Sequence, residues 1–161
     1  MDLKEFFLKQ KQATYDGVVK VFSKIPPEQL AWKPVPSVLS LGEIVRHVWM
    51  SEEGMRQIAL NGDWSYFEKR IPLGLQAILG EIRSLDGEMR QLALVHEDTL
   101  RDTAAFPIER WDEERVHEGF KIRRKVAVAL FGINEHQIHH RAQVTTYLRI
   151  LTGKRASSYD L

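Results

Sequence analysis

The chain has 161 residues, 43% of them hydrophobic and 28% charged, with a formal net charge of +1. This is the size and balance of one ordinary soluble domain with a full apolar core. The small net charge gives no general attraction to nucleic acid or to an anionic membrane, and the lack of cysteine excludes disulfides, thiolate metal sites and a cysteine nucleophile. The opening MDLKEFFLKQKQ lacks the apolar h-region of a signal peptide, and no stretch approaches the roughly 18–20 uninterrupted apolar residues of a membrane span. The expectation is one domain over residues 1–161, cytoplasmic and without a membrane partner.

The first predicted helix covers Asp2 to Ile25, with apolar groups at Leu3, Phe6, Phe7, Val18, Phe22 and Ile25 at broadly helical spacing. Gln10, Lys11 and Gln12 weaken its middle, and Pro26-Pro27 end it because proline cannot continue a helix. Trp32-Lys33-Pro34-Val35-Pro36-Ser37 reads as an extended connector, each proline pushing its predecessor out of the α region. The second helix opens at Ser40-Leu41-Gly42-Glu43, a capping-box pattern, and runs to about Leu60, where Asn61-Gly62-Asp63 stops it. Trp64 to Ile71 reads as a loop. A third helix is expected from Pro72 to about His96, with Leu75, Ile78, Leu79, Ile82, Leu85, Met89 and Leu92 spaced three or four apart. Glu97 to Lys121 is poorly patterned, with a short extended piece at Val116–Phe120. The last helix is expected to start at Ile122 or Arg123 and to end before Gly153. Four helices with moderate connectors make an all-α, antiparallel four-helix bundle the simplest architecture.

The last helix carries Glu135-His136-Gln137-Ile138-His139-His140-Arg141. Residues advance roughly 100° around a helix, which puts His136 within about 40° of His140. Ala129, Ile133, Tyr147 and Leu151 fall within about 20° of it. His136 and His140 therefore sit inside the apolar stripe, and His139 falls at its edge. Two inward imidazoles one turn apart must each find a partner, either hydrogen-bonding neighbours or one metal ion reached by both rings. His47 shares a face of the second helix with Ile44, Ser51, Gly54 and Ile58 and also points inward, while Glu52 and Glu53 are expected to point away. Bundle metal sites are built from such side chains on facing helices. Three imidazoles suit zinc, nickel, copper or iron, with zinc and nickel leading, and argue against calcium or magnesium. Three protein ligands leave a position for substrate. Gln137 follows His136, so the HExxH of a metalloprotease is absent. His96 and His117 read as structural. His139, Glu43 and Tyr147 are the candidates for supporting the ligands or lining the pocket, although Glu43 already has a capping role.

Trp32-Lys33-Pro34 followed by Ser40 to His47 resembles the second-helix signature of the DinB/YfiT-like bundles. His136 to Gln143 is similar to their final-helix signature, and Gly153 to Ser158-Tyr159-Asp160 to their tail, with Ala142 where the family often has glycine. The resemblance implies an up-down-down-up bundle, frequent homodimers, and a metal held by three histidines that fall on His47, His136 and His140. It also implies a metal-dependent enzyme that transfers a low-molecular-weight thiol to a small electrophile, or uses the same site for hydrolysis. The alternative is a non-catalytic metal-binding stress-response bundle. Lys121, Arg123, Arg124 and Lys125 read as a solvated helix start and not as a nucleic-acid interface, which needs a stronger basic balance.

Overall fold

The computed structural model describes residues 2–154. In chain order it contains α1 (Leu3–Phe22), α2 (Leu41–Asn61), α3 (Ser65–Glu68), α4 (Leu75–Leu79), α5 (Leu85–Ala105), a hairpin of β1 (Glu114–His117) and β2 (Ile122–Lys125), and α6 (Val126–Thr152). The tail motif Ser158-Tyr159-Asp160 lies outside the described residues. No helix among those described is long and apolar enough to cross a membrane.

The helix ends follow local chemistry. Asp2 accepts from the Glu5 amide at the start of α1. At α2 the capping box is complete: the Glu43 amide donates to Ser40 Oγ at 3.2 Å, and the Ser40 amide donates to Glu43 Oε2 at 2.7 Å. Gly62 closes α2 at φ 68° and Gly153 closes α6 at φ 67°, a left-handed conformation that costs glycine nothing.

Side-chain pairings give the helix directions. Lys4 reaches Ala104 and Lys11 reaches His96, so α1 and α5 are antiparallel. Arg46 meets Glu88 and Arg56 meets Asp102, so α2 and α5 run parallel. His47 meets His136 while the methyl of Met55 faces Gly132, so α2 and α6 are antiparallel. The bundle is therefore up-down-down-up. One apolar cluster, centred on Phe22, Ile44, Val48, Leu92 and Val144, fills one end. A second, around Phe7, Leu60, Trp111 and Leu130, fills the other.

This topology governs the chain after α2. Because α2 and α5 are parallel neighbours, residues 62–84 must travel back along the bundle, a path of about 30 Å for a helix of this length. The single long helix expected from Pro72 to His96 does not form. Gly74 and Gly80 both have positive φ, 77° and 58°, and they interrupt the helical pattern of Leu75 to Leu85. The true helix starts after the Ser84 cap, whose side chain accepts from the Gly87 amide, and continues to Ala105. Part of the segment expected as a loop, Ser65–Glu68, is the single-turn helix α3. The crossover is fastened at both ends. Arg46 donates to the carbonyls of Leu79 and Glu81 at 2.5 and 2.9 Å. Gly54 lets Tyr66 and Phe67 sit directly on α2, where an added Cβ would lie 2.7 Å from each ring.

Four further expectations are corrected. Ile122 and Arg123 do not begin α6, because Ile122–Lys125 pairs with Glu114–His117 in an antiparallel ladder. The extended piece placed at Val116–Phe120 is thus the end of β1 and the turn after it. The first helix stops at Phe22, leaving Ile25 to pack into the core ahead of the prolines. Glu52 does not point away: its side chain is 1% exposed and ion-paired to Lys11, itself 0% exposed, at 3.0 Å.

Candidate metal centre

Antiparallel α2 and α6 place His47 opposite His136 and His140. His136 Nε2 lies 3.1 Å from His47 Nε2 and 3.1 Å from His140 Nε2. Among the described residues these three form the one group of histidine, aspartate and glutamate side chains placed to share an ion, with their donor atoms within 4.8 Å of one another. Nitrogens bonded to one tetrahedral ion at about 2.0–2.1 Å stand about 3.3 Å apart. The two 3.1 Å separations lie close to that value, and the His47 and His140 nitrogens lie within 4.8 Å of each other.

The protonation pattern supports the same fit. Gln143 Oε1 lies 2.8 Å from His140 Nδ1, so the ring proton belongs on Nδ1 and Nε2 of His140 presents a lone pair. His136 Nε2 faces two other Nε2 atoms and carries at most one proton, so one N–H cannot satisfy both contacts. Lone pairs gathered this way suit a shared cation.

Burial, followed by the neighbouring rings His140, His47 and His139, holds His136 down to about 3 from 6.5. Burial likewise holds His140 down to about 4, against the raising effect of Gln143. His47 is lowered, first by burial and then by His139. All three rings are neutral near pH 7, as ligands must be.

The supporting residues divide. Tyr147 accepts from Gln143 Nε2 at 3.0 Å, which places it behind His140 in a chain of two hydrogen bonds. Gln143, which the sequence does not single out, is the group that touches His140. Its signal was its position three residues after His140 on one helix face. His139 is exposed, and its ring centroid lies 4.8 Å from that of His140. The Glu43 carboxylate is taken up by the Ser40 cap and by Lys33 at 4.0 Å, which leaves it outside the histidine cluster. His96 is buried in mid-α5, stacked on Tyr15 with centroids 3.8 Å apart. His117 packs on Phe120 and faces Glu68 at 2.8 Å.

Behind the triad lies a polar layer. Gln137 donates to Glu52 Oε2 at 2.6 Å, and Lys11 Nζ reaches His96 Nδ1 at 2.9 Å. Beside His47, the crossover covers α2 and leaves a partly open cavity of about 190 Å³. His47, Ser51, Tyr66, Arg70, Leu75 and Leu79 are among its walls.

A four-helix bundle with imidazoles converging between two facing helices is the arrangement in which bundle proteins hold metals. The family model of the DinB superfamily matches residues 10–144, and the chain belongs to that superfamily. Among solved structures it is similar to a DinB-like protein, YjoA, from Bacillus subtilis. That likeness has 18% identity and a TM-score of 0.67, and it covers 98% of this chain and 96% of the other. At that identity it speaks to the fold alone. No curated protein matches the chain.

Proposed function

We propose that His47, His136 and His140 hold one divalent transition metal, zinc or nickel first, and that the protein is a metal-dependent enzyme transferring a low-molecular-weight thiol to a small electrophile. The observation that carries this reading is the convergence of the three Nε2 atoms beside a partly open cavity that His47 lines. A divalent ion there would supply Lewis acidity, which favours the thiolate form of a thiol brought to it, or activates water in a hydrolytic version. The protein's own groups do the rest. Gln143 keeps the His140 proton on Nδ1 and fixes the ring, as partners of metal-ligating histidines do. Arg70, with its guanidinium carbon 3.8 Å from the Tyr66 ring centroid, puts a cation on the cavity wall to orient an anionic group. The walls contain no carboxylate among the described residues. That suits a thiol, which loses its proton readily, better than water, which calls for a general base.

The reading extends to a cytoplasmic homodimer. Leu3 and Phe6 on α1 and Val128 and Ile138 on α6 are exposed, and sedimentation of the purified protein checks the dimer. The lack of a carboxylate also favours the second reading, a non-catalytic metal-binding stress-response bundle. That version predicts a metal-dependent rise in melting temperature without turnover. The deciding experiment incubates metal-loaded protein with low-molecular-weight thiols and a chromogenic electrophile. Transfer that disappears on chelation and in His140→Ala is expected. Transfer indifferent to both contradicts the enzyme reading.

A further inference from the structure

A second cavity, about 390 Å³, opens further along the α2–α6 seam. Trp64, Phe67 and Ile71 of the crossover, Met55 of α2, and Phe120 and Arg124 of the hairpin are among its walls. Its volume falls in the range of small-molecule pockets. Phe67 and Ile71 also line the smaller cavity at His47, so these two side chains form the partition between the chambers.

Arg124 is the feature that asks for a ligand. Side chains alternate along a strand, so Ile122 and Arg124 face the chamber, and both line it. Arg123 and Lys125 face the other way and are neutralised there by Glu114 and Asp112, each at 2.5 Å. Directly across the ladder from Arg124 stands Arg115, and like charges in that position repel. Arg115 is compensated, bonded to the Ala59 carbonyl at 2.9 Å and to Glu113 at 3.0 Å. Arg124 has no ion pair or hydrogen bond among the described residues, and the chamber has no carboxylate among its walls. A wide aromatic chamber thus ends in one unneutralised guanidinium.

We infer that this chamber binds a small monoanion with an apolar body, of the arylalkyl carboxylate type. The body lies against Trp64, Phe67 and Phe120, and the carboxylate meets Arg124. One cation calls for one anionic group, and the scarcity of donors elsewhere on the walls calls for an otherwise apolar molecule. That such a compound is the substrate class of the proposed enzyme rests on the metal reading of the triad. The binding itself does not.

The test titrates a series of phenylalkanoates, phenylacetate to 6-phenylhexanoate, and the matching neutral amides into the full chain, with binding followed by calorimetry. Saturable one-to-one binding of at least one acid is expected, with its amide about ten- to hundredfold weaker, the worth of a charge-assisted hydrogen bond. Arg124→Gln, at an exposed position that folding tolerates, should reduce the acid to the affinity of its amide. His140→Ala should leave acid binding unchanged. The inference is overturned if no acid saturates at millimolar concentration, if acid and amide bind alike, or if Arg124→Gln has no effect. Loss of binding in His140→Ala overturns it too, by placing the ligand at the triad. Unchanged binding in a protein that shows no thiol transfer would leave this pocket standing and remove the enzymatic reading.

Discussion

Lys11 offers the sharpest perturbation of the bundle interior. Its ammonium, on a side chain 0% exposed, lies 3.0 Å from a Glu52 carboxylate whose side chain is 1% exposed. Burial pulls Lys11 below the ordinary lysine range, opposed by the attraction of Glu52. Lys11→Met keeps the length of the side chain but leaves the Glu52 charge inside the protein, with Gln137 as a donor at 2.6 Å. Breaking one side of a buried pair costs about 3–5 kcal/mol. In a domain of this size each kcal/mol moves the melting temperature by roughly 2–4 °C, so a fall of about 6–20 °C is expected. The double variant Lys11→Met, Glu52→Leu removes both charges and should recover most of that loss, since replacing a whole buried pair by apolar groups is often neutral. Urea and thermal unfolding followed by circular dichroism measure both variants. A single variant within about 1 kcal/mol of wild type, or a double variant no better than the single, would refute the assignment of the pair as mutually dependent.

Gln143→Leu releases His140 Nδ1 and should weaken zinc or nickel binding about 10–100-fold, measured by chelator competition with circular dichroism confirming an intact fold. Gly54→Leu drives a side chain into Tyr66 and Phe67, where a Cβ alone would lie 2.7 Å from both rings; overpacking of this kind costs about 1–3 kcal/mol in urea unfolding. His96 is held down to about 3 from 6.5, first by burial and then by the Lys11 charge. Its folded form is therefore neutral where the unfolded chain takes up a proton, so stability falls as pH drops from about 6.5 towards 3. The drop in melting temperature from pH 7 to pH 5 should be smaller in His96→Gln than in wild type, and an equal drop would count against it.

The parts of this molecule legible in the sequence are those written in local chemistry. Ser40 and Glu43 mark the start of α2 because a capping box needs only residues three apart, and Gly62 and Gly153 mark ends that require a left-handed residue. His47, His136 and His140 were legible because helical periodicity alone turns each of them inward. The crossover was not. Leu75, Ile78 and Leu79 are spaced like a helix because they pack over α2, and nothing local to Gly74 or Gly80 announces the positive φ that the path of the chain imposes. The hairpin was hidden by its composition, since Ile122-Arg123-Arg124-Lys125 reads equally well as a basic helix start until Glu114–His117 is seen beside it. Glu52 reads as outward because a carboxylate is costly to bury alone, and only tertiary structure brings the Lys11 charge to it. Gln143 was overlooked for a related reason, as its role depends on which way the His140 ring turns.

Elemental analysis of the natively purified chain, beside His47→Ala, His136→Ala, His140→Ala and His139→Ala, tests the metal reading most directly. One equivalent of a divalent transition metal in the wild type and in His139→Ala, with loss from the other three, is the predicted pattern. A metal content indifferent to the three inward histidines, or a wild-type chain that takes up no zinc or nickel even when supplied in excess, would contradict it.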